Sequence, residues 1–377
     1  MFITVSQETC HNTSLRFVEA KQQEWRNMKK IANVTGNKAA AVIMAALTVF
    51  GMTACGSSES ASQTSGAETA PAAVETVEAQ STESAADETE TQTVQSTDSV
   101  PDAAEQTAYP VELTDSYGDV VTLEYEPERI VSVAPNLTEL LYELDAADKL
   151  VGRSDYCDYP EEVLDVETVG SLYTPDIEKI ISLEPDLVIV STHFDEENAA
   201  KLEELNIPVL TLYEEHNVTG VYDMIDILGT AINRNAQAAD CVSKMQDTID
   251  EVSTAVEGLE APSVYYVVSY GEGGDFTAGG DTFIGGLIEL AGGDNIAKNV
   301  SGWNITLEEI VEADPSIIIT SEYDKEGFMS DANYTNLTAV KEGNVYTIDN
   351  NLLDRQGYRN AQGIKELAEI FHPEAFR

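Results

Sequence analysis

Basic residues are scarce in this chain: 20 Lys and Arg stand against 68 Asp and Glu in 377 residues, a formal net charge of −48. So acidic a surface repels phosphate backbones and anionic lipid headgroups, which excludes nucleic acid as a partner and adhesion through a basic patch. Cysteine is equally thin, with 4 in the whole chain, too few for a disulfide scaffold at this length. A sustained apolar run, Ala39 to Phe50, is too short to cross a bilayer comfortably as a permanent anchor. What remains is long enough for two lobes with cores of their own, so disorder from end to end is excluded as well.

The charge divides the chain. Residues 1–55 net +3, residues 56–109 carry eleven acids and no Lys or Arg, and the remainder nets −40. From Met28 the text runs Met28-Lys29-Lys30, then the apolar segment, then Gly51-Met52-Thr53-Ala54-Cys55-Gly56. A short positive region, an apolar stretch and small residues before a cysteine make an export signal over 28–55, similar to a lipoprotein signal in which Cys55 becomes the lipidated N-terminus. Residues 1–27 precede a complete signal and read as a misassigned N-terminal extension. Residues 56–109 are rich in Ser, Thr, Ala, Glu and Gln and hold no Leu, Ile, Phe or Trp. They cannot bury enough apolar surface to offset the entropy of ordering, and read as a disordered acidic linker.

Beyond Tyr109, short apolar runs bounded by Pro, Gly and Asp alternate with amphipathic stretches, the signature of α/β units with parallel sheets. The pattern predicts strands at 129–134, 150–153, 186–191 and 208–213 in an N-terminal lobe (110–234). It predicts strands at 263–270, 316–321 and 345–349 in a C-terminal lobe (259–377). Between them, Asn235 to Gly258 has no proline or internal glycine, and Cys241, Met245, Ile249, Val252 and Val256 recur at three- and four-residue steps. This predicts a connecting helix of roughly 35 Å, a stiff link between two lobes.

Two segments repeat one device. Ile177-Glu178 through Leu183-Glu184-Pro185-Asp186 aligns with Leu307-Glu308 through Ala313-Asp314-Pro315-Ser316, each a helix with a carboxylate in its first turn, ended at a proline that feeds an apolar strand. A single such Glu would merely complement a helix dipole. Its recurrence, once per lobe, favours a paired external role.

Several motifs carry a family resemblance. Arg129 to Glu139, Val151-Gly152 followed by Asp155 to Pro160, the Glu178-to-Asp186 unit, Phe276 to Gly279, and Leu290 to Ile296 together resemble the cobalamin and ferric-siderophore binding proteins of ABC importers, over about residues 110–377. The resemblance implies a bilobal receptor with a rigid connecting helix, little closure, a ligand held in the cleft, and Glu178 and Glu308 docking onto permease arginines. It places Tyr156, His193, Phe194, Phe276 and Trp303 in the cleft. Where cobalamin receptors can carry a tryptophan six residues before the first docking glutamate, this chain has Leu172 with Tyr173 beside it.

Aromatic faces suit a large planar or macrocyclic ligand, and Tyr173 and Tyr270 join the set above. Arginines in cleft loops suit an anionic iron chelate, and Arg153 and Arg355 lie near strand ends. These two arginines and the missing tryptophan tilt the expectation toward an iron chelate, with cobalamin second and a haem or divalent-metal receptor as alternatives. His193, His216 and His372 match no compact metal-ligand pattern, so no metal site is expected, and no resident cofactor either: iron or cobalt would enter inside the ligand. The glycine-rich loops at 271–275 and 279–281 lack the Lys-Ser/Thr end of a phosphate loop, and nothing assembles a catalytic set, so an exported α/β enzyme is disfavoured. Cys157 and Cys241 permit a disulfide in an exported domain, with two buried thiols the simpler alternative. The expected protein is a monomeric receptor, lipid-anchored at the outer face of the cytoplasmic membrane, that serves an ABC permease and, through it, an ATPase.

Overall fold

A computed structural model describes residues 106–214 and 216–377. The signal segment with Cys55, the extension 1–27 and all but the last four residues of the linker lie outside the described residues. In chain order the first half contains β1 (Val111–Thr114), β2 (Val120–Leu123), β3 (Ile130–Ser132), α1 (Pro135–Glu143), β4 (Leu150–Arg153), α2 (Ile177–Ser182), β5 (Leu187–Val190), α3 (Glu196–Glu204), β6 (Val209–Thr211) and α4 (Val218–Ala231). The long helix α5 (Asn235–Val256) follows. The second half holds β7 (Ser263–Tyr266), β8 (Asp275–Phe276), α6 (Phe283–Leu290), β9 (Asp294–Asn295), β10 (Asn304–Ile305), α7 (Leu307–Ala313), β11 (Ile317–Thr320), α8 (Lys325–Ser330), α9 (Thr338–Glu342), β12 (Val345–Thr347), α10 (Asn351–Asp354) and α11 (Asn360–Phe371).

Each half is an α/β lobe on a four-stranded parallel sheet, ordered β4-β3-β5-β6 in the first and β12-β11-β7-β9 in the second. The inner strands are the apolar runs: every residue of β5 and of β11 is buried. Strands covered on both faces must be apolar along their whole length, which is why these segments read as continuous rather than alternating.

The repeated unit folds the same way twice. Just past the end of α2, Glu184 takes φ +48 before Pro185, and at the end of α7, Asp314 takes φ +41 before Pro315. A left-handed residue stops the helix and the proline holds the chain extended into the strand. Asp176 caps α2 by accepting from the Lys179 N–H. Thr306 and Glu309 form a reciprocal capping box on α7.

Helix α5 runs 22 residues, about 33 Å at 1.5 Å each. Ala238, Cys241, Met245, Ile249 and Val252 are buried, against α4 on one side and α11 on the other. One apolar cluster runs from Leu137 and Leu141 of the first lobe through this stripe to Leu367 and Phe371 of the second. The helix is therefore core to both lobes rather than an exposed strut. Cys157 and Cys241 are free, buried thiols, not a disulfide. Burial pushes both thiols up, that of Cys241 to about 12, which leaves little thiolate to react.

Small elements escaped the sequence reading. The β1–β2 hairpin is antiparallel about a turn in which Asp115 accepts from the Tyr117 and Asp119 N–H groups, each at 2.9 Å. Its four-residue strands and polar turn give too little periodicity to recognise. The ordered contacts also begin before residue 110: Thr107 donates to the Asn233 Oδ1 and the Thr230 carbonyl, each at 2.9 Å, and Tyr109 to the Ala231 carbonyl.

Candidate functional site

Two adjoining cavities of about 190 and 370 Å³ form a cleft between the lobes, and Asp354 and Gln356 line both. The first is walled by Leu172, Ser191, His193, Phe194 and Pro135, on loops and helix starts that follow first-lobe strands. The second is walled by Trp303, Asp281, Phe283 and His216. Ligand sites gather where the ends of parallel strands open between elements, and both walls follow that rule.

Beside His193 of the first wall stand two exposed tyrosines, Tyr173 and Tyr156, which line neither cavity themselves. Tyr173 meets Tyr156 edge to face at 5.8 Å between centroids and His193 at 5.0 Å, giving a continuous aromatic edge. Tyr156 and Tyr173 are exposed, 47% and 46%, whereas Phe194 at 5% belongs chiefly to the first-lobe core.

On the second wall a backbone frame does the work. Trp303, 42% exposed, follows a turn in which Asp281 accepts from Ser301 Oγ at 2.6 Å and from the Gly302 N–H at 2.7 Å. These bonds hold the Asp281 carboxyl below its usual range. The Trp303 and Gly302 carbonyls accept in turn from the Thr277 and Gly279 N–H groups. A Cβ at Gly279 would stand 2.4 Å from the Gly302 oxygen, and one at Gly280 only 2.0 Å from the Lys298 oxygen. The Phe276-to-Gly280 stretch is thus a seat for the tryptophan turn, and its glycines admit that close approach.

Four of the expected cleft residues need correction. Arg153 donates to the Val163, Ser154 and Leu164 carbonyls and lines neither cavity. Its guanidinium serves the turn after β4. Arg355 does line the first cavity, but its Nη1 reaches Glu139 and Asp158, each at 2.7 Å. Tyr270 packs edge to face on Phe328 and Tyr334 in the second-lobe cluster, away from the cavities. Phe276 pairs with Asn304 across β8 and β10 and lines neither cavity.

Arg355 belongs to a buried network that ties the lobes together. Glu139, 3% exposed on α1, accepts two bonds from Arg359, at 2.6 and 2.8 Å, and one from Arg355. Asn136 donates to the Gln356 carbonyl at 2.9 Å, and the Arg359 guanidinium sits 4.1 Å over the Tyr159 ring. Charge-assisted bidentate pairs are directional, so they fix the segment 354–359 against the first lobe.

Sequence reasoning missed Asp354, Gln356, Asp281 and Phe283. The first two flank Arg355, whose place just after the last strand was the signal that could have found them. Asp354 is an exposed residue that opens onto the cleft; partial desolvation there raises its carboxyl to about 6, opposed by Arg355 and assisted by Asp349. Among the described residues no group of three or more His, Cys, Asp or Glu could hold a metal ion, and no helix is long and apolar enough to cross a membrane.

Glu178 and Glu308 are exposed, each at the second helical position of its repeat unit, with no hydrogen bond or ion pair among the described residues. The caps come instead from Asp176 and from Thr306 with Glu309.

Residues 130–352 match the model of the periplasmic binding protein family. The chain is 32% identical over 277 residues, 71% of this chain and 88% of the relative, to an ABC transporter substrate-binding lipoprotein of Bacillus subtilis. It is 28% identical over 286 residues, 72% of this chain and 76% of the relative, to a cobalamin-binding protein of Halobacterium salinarum. The solved vitamin B12-binding protein of Vibrio cholerae superposes with a TM-score of 0.57 at 26% identity, covering 67% of this chain and 98% of that one. The chain belongs to the periplasmic binding protein family and is a substrate-binding protein of the ABC importer type.

Proposed function

We propose that this protein is an extracytoplasmic, lipid-anchored receptor that captures a corrinoid in the interlobe cleft and presents it to an ABC permease. The observation that carries the ligand choice is the state of the two arginines expected in the cleft. Arg153 faces backbone carbonyls and Arg355 is neutralised by Glu139 and Asp158. An anionic iron chelate would therefore find no unpaired guanidinium, while Asp354 and Asp281 would repel it. A large, amide-bearing macrocycle suits exposed aromatic edges at Tyr156, Tyr173 and His193 and the indole of Trp303. The likeness to the cobalamin-binding and vitamin B12-binding proteins supports the same choice.

The test is titration of intrinsic fluorescence of the purified protein with cobalamin, ferric siderophores and haem. Cobalamin is expected to quench at micromolar or lower concentration, with the ligand recovered chemically unchanged. Tighter binding of a ferric chelate would overturn the ligand, and binding of none of the three would overturn the receptor reading.

Anchoring is assigned to Cys55, because the linker holds no basic residue to add attraction to anionic lipid and acyl burial must supply the attachment. Cys55→Ser is expected to release the protein from membranes; continued tight association would point to an uncleaved helix. Docking is assigned to Glu178 and Glu308. Their helix ends are capped by other residues, and two separated carboxylates set orientation where diffuse acidity only steers encounter.

A further inference from the structure

The floor of the cleft carries two polar groups that the fold leaves open. Asp354 and Gln356 line both cavities. No hydrogen bond or ion pair reaches the Asp354 carboxyl among the described residues, because the adjacent Arg355 turns to Glu139 and Asp158. Gln356 is held at two points: its carbonyl accepts from Asn136 Nδ2, and its Oε1 accepts from the Glu214 N–H at 3.3 Å. With Oε1 taken by a donor, the other side-chain atom is the amide Nε2, and it donates to nothing among the described residues. The floor thus offers an acceptor and a donor two residues apart, on a segment pinned by the Arg359–Glu139 pair.

We infer that Asp354 and Gln356 form a specificity-determining pair that reads a primary carboxamide of the ligand and discriminates against the corresponding carboxylic acid. An amide N–H donates to the Asp354 carboxylate while the amide C=O accepts from Gln356 Nε2. A carboxylate in its place would offer no donor and would set two like charges together in a partly desolvated floor. The inference rests on the corrinoid reading, since a corrin ring carries several primary amide side chains. Selection by an introduced repulsion rather than by added attraction is a general route to specificity. The raised carboxyl of Asp354 is consistent with a site that lacks a resident partner.

The experiment compares cobalamin with its side-chain monocarboxylic acid derivatives, titrated against the full protein and the variants Asp354→Asn, Gln356→Glu and Trp303→Ala near neutral pH. The wild-type protein is expected to prefer at least one amide over its acid by about tenfold, roughly one hydrogen bond to a charged group plus the lost repulsion. Asp354→Asn should shrink that ratio to about twofold, chiefly by admitting the acid. Gln356→Glu should weaken cobalamin severalfold, while Trp303→Ala should weaken amide and acid alike and leave the ratio unchanged. Thermal melts of Asp354→Asn at or above wild type establish that it folds. An amide-to-acid ratio near one in wild type for every derivative, or a ratio that Asp354→Asn leaves intact, would overturn the inference while leaving the corrinoid reading standing. Failure of wild type to bind cobalamin would overturn that reading and this inference with it.

Discussion

In the first lobe Tyr156, Tyr173 and His193 meet edge to face on loops and support one another, whereas in the second Trp303 follows a turn fixed by Asp281, Ser301 and the backbone of Thr277 and Gly279. One wall is made of side chains that pack on side chains, the other of a side chain mounted on hydrogen-bonded backbone. The difference matters for recognition. A mutually packed edge can tolerate loss of a member, since its neighbours still present apolar surface. A framed indole is a single contact whose placement depends on the frame. Outside the cleft the two lobes are more alike: each repeats a helix, a left-handed residue and a proline, and each exposes a glutamate at the second position of that helix.

The likeness of the two repeated units, and the docking role proposed for them, is tested by the largest expected effect. Removing both carboxylates, in the Glu178→Ala, Glu308→Ala double variant, should nearly abolish uptake of the ligand by cells, and each single change should reduce it. Titration of the purified variants should show unaltered ligand affinity. Normal uptake by the double variant would return both residues to a helix-dipole role.

Next comes the network that sets the walls at a fixed separation. Glu139→Ala leaves Arg359 and Arg355 without their shared partner, and breaking a buried pair in this way costs about 3–5 kcal/mol. Urea or thermal unfolding should show that loss. A variant within about 0.5 kcal/mol of wild type would mean that the apolar cluster along α5 alone joins the lobes.

The contrast between walls is sharpened by single substitutions. Trp303→Ala should raise Kd about tenfold or more, as expected for an aromatic face that also buries area. Tyr156→Ala should cost less because Tyr173 and His193 remain. Arg153→Ala and Tyr270→Phe should leave Kd unchanged, since Arg153 is spent on the turn after β4 and Tyr270 packs on Phe328 and Tyr334. A larger loss at Tyr156 than at Trp303 would invert the assignment.

The smallest effect is a pH dependence of stability. The Asp354 carboxyl is raised to about 6 in the folded protein, above roughly 3.9 in an unfolded chain. The folded state keeps this proton longer, so the contribution is fully present below about pH 4, is lost as pH rises to about 6, and is flat beyond. Urea melts across that window should show a shallower fall for Asp354→Asn than for wild type.

Much of the architecture was legible because it follows from periodicity and punctuation. The apolar runs that became β5 and β11, the three-and-four spacing along α5, and the Pro185 and Pro315 stops are local signals, and local physics suffices to read them. The elements that escaped are short: the β1–β2 hairpin has four-residue strands about a polar turn, and the two-residue β8 and β10 are strands only because each supplies the other's hydrogen bonds across nearly thirty residues.

The site divides in the same way. Residue chemistry and order along the chain determined a two-lobed α/β fold with a carboxylate in the first turn of each repeated helix. Which aromatics and which charges face a ligand was decided only by the tertiary structure. Tyr270 and Trp303 both read in sequence as aromatics of the cleft, yet one finds Phe328 and Tyr334 to pack on while the other is lifted into the cleft by its frame. Arg355 reads as an anion binder until Glu139, 216 residues away in sequence, takes its charge. A pairing over such a separation leaves no local trace, and in a chain with 68 acids almost any arginine can find one.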